Sequence, residues 1–513
     1  MEGKKSISIN FIASMIVFAI NLAISFFFTP FITKKIGTEA YGFVSLANNF
    51  VNYATLITIA LNSMSGRFVS VAIHKNKKDE ANAYFSSVFW ANIIIISVLV
   101  VPSLFIILYL ERILNIPNEI IIDVKLLFSF IFINFFIGII SSTFQIATFA
   151  TNKLHLQSIR NLEGHIIRVI LLFLLCSFFT PHVFYIGLTS LLVSIFVLLY
   201  NIYYKKKLLP DLSININNIS LKKISEVVKS GIWYSITKIG QILSDGLDLI
   251  ICNIFIDPFV MGQLAIVKTL SSYVGTLIGT ISGLFQPEFI ISYAHGKIDE
   301  LISKLKFSMK ASGMISNIPF AFLIVFGMQF YLLWLPNQDA EKLHLLTILT
   351  LQGVIISGAI NPMYAIYSVT NKVKVDAICR IIIGLLCTFI VYVLLKNTEL
   401  GVYAVAGVST LVGSIFNFFF VPVYVSKVCL QLDWKTFYPC IINYALTTIA
   451  LIGIFFIMGQ LFILSNWLYF IIMGIVCVIV GVIFDFFFLF EKNERKDLID
   501  FIKVFGKKLG VNK

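Results

Sequence analysis

Apolar residues come in long runs along this chain, and charged or Gly/Pro-containing turns separate them. The runs lie near residues 8–31, 41–62, 83–110, 123–149, 162–179, 183–204, 229–256, 259–285, 308–335, 343–368, 376–395, 401–425, 436–457 and 464–490. Each has the length of a bilayer-crossing helix, which needs about 20 apolar residues. The pattern predicts an all-α polytopic membrane protein with about 14 transmembrane helices. Composition agrees: 58% of the 513 residues are hydrophobic, 50 are Phe, 13% are charged, and the mean hydropathy is +0.93. A water-soluble fold has no way to cover so much apolar surface.

The pattern also repeats. A shift of 220 lays Gly42 on Gly262, Lys77-Lys78-Asp79-Glu80 on Lys297-Ile298-Asp299-Glu300, and Gly187-Leu188-Thr189-Ser190 on Gly407-Val408-Ser409-Thr410. A shift of 219 lays Ala150-Thr151-Asn152-Lys153 on Val369-Thr370-Asn371-Lys372. Six runs fall in each copy, and an even number leaves the second copy in the orientation of the first. The expected architecture is two parallel six-helix lobes, related by a pseudo-two-fold axis along the membrane normal, plus two C-terminal helices. In residues these are an N-lobe over 1–207, a cytoplasmic linker over 208–228, a C-lobe over 229–428, helices 13 and 14 within 429–491, and an amphipathic tail over 492–513. A substrate site is expected in a cleft between the lobes.

The net charge of +13 raises the question of a nucleic-acid partner, and its distribution answers it. With the N-terminus inside, 31 of the 39 Lys and Arg fall in inner segments and six in outer loops. This positive-inside asymmetry predicts a multi-pass protein of the cytoplasmic (inner) membrane with both termini in the cytoplasm, and no nucleic-acid partner. The opening MEGKKSISIN runs into the first apolar stretch without a small-residue cleavage site, as a retained first helix would. The seven cysteines lie in predicted spans or at their inner ends, so no disulfide framework is expected. Two segments put apolar residues at helical spacing opposite lysines: Lys297–Lys310, and the tail with Leu498, Ile502, Phe505 and Leu509. Both suit a helix lying on membrane lipid.

Polar positions inside the apolar runs are the candidates for function. The seventh run holds Tyr234, Lys238, Gln241, Asp245, Asp248 and Cys252. On one continuous helix these fall within roughly 80° of arc. An ionised side chain at mid-bilayer costs about 2.5–3.5 kcal/mol, so such a stripe is expected to face water or paired partners. Asp245 and Asp248, with Lys268 on the next helix, form either a structural ion pair or a site for a proton or coupling ion. Lys238 either snorkels to headgroups or faces a cavity. Arg67, near the inner end of helix two, either anchors to lipid phosphate or offers its fork to a diphosphate. Arg168, with Glu163 and His165 near it, lies at the interface or faces the cleft. Asn48, Asn49, Asn52 and Gln145 are either interhelical hydrogen-bonding groups or contacts for sugar hydroxyls.

Much chemistry is missing. The sequence has no Walker A motif, no HExxH, and no zinc-type Cys/His cluster. Predicted outer loops are short, the longest lying around Glu111–Asp123. The reading is therefore transport, with no enzyme activity, cofactor or metal expected.

The segments TPFITKKIGTEAYGF and NSMSGRFVS add a resemblance. They are similar to the polysaccharide transporter branch of the multidrug/oligosaccharidyl-lipid/polysaccharide flippase superfamily, which includes O-antigen and capsule repeat-unit flippases. Gly37, Tyr41, Gly42 and Arg67 carry it, supported by the helix count and the parallel repeat. The resemblance implies a V-shaped, two-lobed transporter that moves an undecaprenyl-diphosphate-linked oligosaccharide between leaflets by alternating access. It implies an antiporter driven by protons or sodium, and a monomer is expected. Arg67, Lys238, Gln241, Lys268, Asn48 and Asn52 are then the translocation candidates, and Asp245 and Asp248 the coupling candidates. Cationic residues for the cleft are sparse for so anionic a cargo. A cation-coupled multidrug exporter of the same superfamily is the alternative, and a membrane glycosyltransferase or polymerase the alternative of another class.

Overall fold

A backbone N–H inside a bilayer has no water to bond, so each apolar run satisfies its own carbonyls by coiling into a helix. The computed structural model of the chain describes residues 20, 22–24, 26–243, 247–462, 466–492 and 494–495, and their regular structure is helical. The chain divides into two compact units, Met1–Ala265 and Ile266–Lys513.

The first unit contains α1 (26–35), α2 (Thr38–His74), α3 (Lys78–Leu108), the single turn α4 (Leu110–Ile113), α5 (Ile121–Ala150), α6 (Leu154–Phe178), α7 (Phe184–Leu208), α8 (Leu221–Gln241) and α9 (Asp248–Phe255). It also takes the first turns of α10 (Pro258–Ala294). The second unit holds the rest of α10, then α11 (Ile298–Trp334), α12 (Ala340–Leu351), α13 (Val354–Ile360), α14 (Tyr364–Val369), α15 (Val373–Asn397) and α16 (Val402–Phe419). A single turn, α17 (Val421–Val423), runs into a π-helical turn at Tyr424–Cys429, before α18 (Tyr438–Leu461) and α19 (Trp467–Phe488).

Among the described residues, 12 helical stretches are long and apolar enough to cross a membrane, against the fourteen expected. Of the two others, the first run lies largely outside the described residues. The seventh is described in two pieces, α8 of 21 residues, running into a π-helical pair at 242–243, and α9 of 8 residues, with residues 244–246 between them outside the described residues.

Four turns show the repeat in the backbone. Asn76, Asn152, Gly296 and Asn371 adopt left-handed φ of 57°, 53°, 68° and 57°. Each is followed by a lysine whose N–H reaches the carbonyl five residues back: Lys77 to Ala72, Lys153 to Thr148, Lys297 to Ser292 and Lys372 to Tyr367, at 2.7–3.0 Å. This is the Schellman closure, which satisfies carbonyls that a helix end leaves open. Only Gly and, at small cost, Asn adopt that φ readily. Asn76 and Gly296 are 220 apart, and Asn152 and Asn371 219 apart.

Side chains repeat as well. Asn62 and Asn92 exchange two hydrogen bonds of 3.0 and 3.2 Å between α2 and α3. At 220 further on, Ser282 and Ser312 pair at 3.3 Å between α10 and α11. Arg160 lies over Tyr200 at 4.5 Å and pairs with Glu163. Arg380, its counterpart, lies over Tyr364 at 4.6 Å and pairs with Asp376. Around these polar links the first unit packs Leu61, Val69, Phe85 and Phe144, and the second packs Phe285, Phe289, Met309 and Ile366.

Small residues allow helices to touch where lipid offers no hydrophobic drive. A Cβ on Gly231 of α8 would lie 1.9 Å from the Ala60 carbonyl oxygen of α2. One on Gly262 would lie 2.2 Å from the Thr38 carbonyl oxygen. Gly275 faces open space. Gly231→Ala should therefore lower the melting temperature in detergent by the equivalent of about 1–3 kcal/mol of overpacking, whereas Gly275→Ala should leave it unchanged or raise it slightly. Equal melting of the two would remove the α2–α8 contact from the account of stability.

Candidate substrate pocket in the first unit

The first unit holds a cavity of about 460 Å³, within the usual range for small-ligand sites. Its polar wall comes from helices that turn one face inward. On α6, Asn161, His165 and Arg168 sit at i, i+4 and i+7, the spacing of a single helical face. On α5, Asn134, Ser141 and Gln145 follow the same rule. Asn48 enters from α2, with its Nδ2 donating to the Val44 carbonyl at 2.8 Å. Ser190 and Ser194 add hydroxyls from α7.

Charge in this cavity has one sign. Arg168 supplies a fixed cation 6.0 Å from the Phe28 ring of α1, and His165 is a second nitrogen base one turn before it. Among the described residues, no Asp or Glu lines the wall. Glu163, the acid nearest in sequence, is engaged by Arg160 at 2.7 Å. Asn201 donates to Ser141 at 2.8 Å and so fixes α7 against α5 behind the cavity. The arrangement can offer a guanidinium, amides and hydroxyls to an anion carrying hydroxyl groups, and no carboxylate to a cation.

Of the residues singled out from the sequence, Asn48, Gln145, His165 and Arg168 come together here. Asn52, one turn beyond Asn48, is exposed and lines no part of the cavity, and Arg67 is exposed two turns before the end of α2. Lys238 is half-buried and Gln241 exposed in the last turn of α8. Asp245 lies outside the described residues, as do the tail positions Leu498, Ile502, Phe505 and Leu509. Asp248 is buried at the start of α9, within electrostatic reach of Tyr53 on α2. Lys268, half-buried on α10, belongs to the second unit. Asn134, Asn161, Ser190 and Ser194 were not anticipated, although the i, i+4, i+7 polar spacing along the fifth run was a readable signal.

The cationic side chains of the cavity are not repeated in the sequence of the second copy. The shift of 220 lays His165 on Leu385 and Arg168 on Thr388. The turns and helix-locking pairs recur, and the cationic wall does not.

The described residues form an all-helical, multi-pass bundle with a polar internal pocket. Comparisons place this fold beside solved structures of the MOP superfamily. The structure is similar to an inward-facing multidrug resistance MATE family transporter of that superfamily, with a TM-score of 0.64 and 14% identity over 81% of this chain and 98% of the other. It is similar to the lipid II flippase MurJ in an inward closed conformation, with a TM-score of 0.63 and 15% identity over 92% and 97% of the two chains. The uncharacterized membrane protein EpsK of Bacillus subtilis (strain 168) is 29% identical over 425 residues, which is 82% of this chain and 83% of that one. Residues 7–286 match the polysaccharide biosynthesis protein family, and the chain belongs to it. It is a multi-pass membrane protein of that family, with a fold shared with MATE and MurJ structures.

The cavity wall should admit small polar reagents where the helix cores do not. In a cysteine-free background, Gln145→Cys should react with a small charged thiol reagent at least about tenfold faster than Asn92→Cys, since only the deprotonated, accessible thiol is reactive. Equal rates would mean that water does not reach the cavity.

Proposed function

We propose that this protein flips a lipid-linked oligosaccharide, carried on undecaprenyl diphosphate, across the cytoplasmic membrane by alternating access for surface polysaccharide synthesis. The observation that carries the reading is the sign of the pocket. Arg168 and His165 stand among amides and serines, with no carboxylate on the wall among the described residues, which suits phosphate oxygens and sugar hydroxyls. An exporter of cationic drugs calls for the opposite sign, so the multidrug alternative is the weaker one. Family membership and the EpsK likeness support a cargo from polysaccharide assembly.

The rest of the proposal concerns arrangement and coupling. The lobes are 1–207 and 229–428, with both termini cytoplasmic, as the lysine-bearing turns and the basic distribution favour. Arg67, Lys238, Gln241, Lys268, Asn48 and Asn52 serve the moving headgroup alongside Arg168. Asp245 and Asp248 bind a proton or sodium ion, as acidic groups within a membrane-spanning run suit. The protein acts as a monomer.

The decisive measurement is the leaflet sidedness of a lipid-linked oligosaccharide in proteoliposomes. Wild type should flip it. Arg168→Ala should flip it about tenfold or more slowly, from loss of one charge-assisted hydrogen bond worth about 1.5–3 kcal/mol, and Arg168→Lys should restore part of the rate. Lys268→Ala should be slowed, and Asp245→Asn should lose dependence on the ion gradient. No flipping by wild type would sink the function, and equal rates in all variants would remove these residues from it.

A further inference from the structure

The second unit contains a buried carboxyl group that no role above uses. Asp485, on α19, is 0% exposed. Its Oδ1 accepts from Nδ2 of Asn317 on α11 at 3.1 Å, and Asn317 is also 0% exposed. Its Oδ2 is buried and has no hydrogen-bond partner among the described residues, and the same holds for Oδ1 of Asn317. Among the described residues, no Lys, Arg or His forms an ion pair with Asp485. The packed elements supply few other titratable groups among the described residues; after α19 comes Arg495, whose guanidinium donates to the carbonyls of Phe486, Phe487 and Phe490. From α18 come Tyr444, whose hydroxyl is engaged with the Val354 carbonyl at 2.8 Å and with Ser316 at 3.0 Å, and Cys440, buried nearer the start of that helix. From α11 comes Lys310, two turns before Asn317, which is held by Glu494 at 2.6 Å and Glu491 at 3.6 Å. On α19 itself, Cys477 is buried two turns before Asp485.

Two acceptor oxygens left bare on facing groups, one on a carboxyl and one on a carboxamide, require a donor, because buried polar groups in folded proteins are almost always paired. A single proton supplies it. A carboxylic acid and a primary amide close a ring of two hydrogen bonds, N–H to C=O in one direction and O–H to O=C in the other. The first of these is already present. From this geometry we infer that Asp485 is a proton-binding site. Its Oδ2 takes one proton from water to form a neutral acid, and that O–H donates to Oδ1 of Asn317. The closed ring fastens the last transmembrane helix to α11, beside the second fastening made by Lys310 and Glu494. Loss of the proton puts a carboxylate against the amide oxygen, opening the ring and loosening that helix. The inference is independent of what the transporter carries.

Infrared difference spectroscopy of the full chain in nanodiscs tests it. At neutral pH, wild type should show a deuterium-sensitive C=O stretch of a protonated carboxyl, and Asp485→Asn should lose that band. Asn317→Leu should keep the band but shift it to higher frequency, since the acid no longer sits in the ring. Asp485→Asn should melt near wild type, because its amide N–H replaces the O–H, while Asp485→Ala should melt lower. The inference is overturned by a band unchanged in Asp485→Asn. It is overturned equally by a band in wild type that disappears on adding sodium at constant pH, which would assign the oxygens to a metal cation. Should Asp485→Asn not fold, the Asn317→Leu shift decides alone, and no shift overturns it.

Discussion

A polar group inside an apolar bundle has to find its partner in the same bundle. That requirement governs most of what is distinctive in this structure. Backbone groups meet it by helix formation, and the four helix ends at 76, 152, 296 and 371 meet it by the Schellman closure. Side chains meet it in small sets: Asn62 with Asn92 and Thr143, Asn201 with Ser141, Tyr444 with Ser316 and the Val354 carbonyl. Each set ties two or three helices together at one rotation about their axes. The Tyr444 set also requires Gly358, where a Cβ would lie 2.2 Å from both the Ser316 and Tyr444 oxygens.

The internal repeat separates structure from function. Features that fix helix geometry recur at the 220-residue shift: the left-handed turn residue with its lysine, the polar pair between the second and third helices of each copy, and an arginine held over an aromatic ring by a nearby acid. Their chemistry is scaled, not copied, since two asparagines become two serines. Features that line the pocket do not recur, as His165 and Arg168 give way to Leu385 and Thr388. A constraint shared by both copies preserves the first group. The second group is free to diverge, and divergence is what gives one unit a cationic wall.

The two described pieces of the seventh run are each tied to the first unit by polar or close backbone contact. The α8 piece is held by close approach of Gly231 to Ala60, and by Ser235 donating to the Leu56 carbonyl. The α9 piece is held by Asn253, which exchanges hydrogen bonds with Asn115. A run with several polar positions is thereby fixed in rotation at both of its ends.

The sequence alone determined the helical class, the long apolar runs, the recurrence of residues at the 220-residue shift and the asparagine–lysine turn at 152 and 371. These depend on length, composition and residues adjacent in the chain, which a linear pattern displays. It also placed Asn48 and Arg168 among the polar candidates, without saying which way they face. Only the tertiary structure decided that Asn48 lines the pocket while Asn52, one turn on, does not. Only it joined Asn317 to Asp485, 168 residues away, and gathered the walls of the cavity from five helices. The reason is physical: a helix in an apolar medium is rotated about its axis by the neighbours it packs against, and the identity of those neighbours is not written in its own residues.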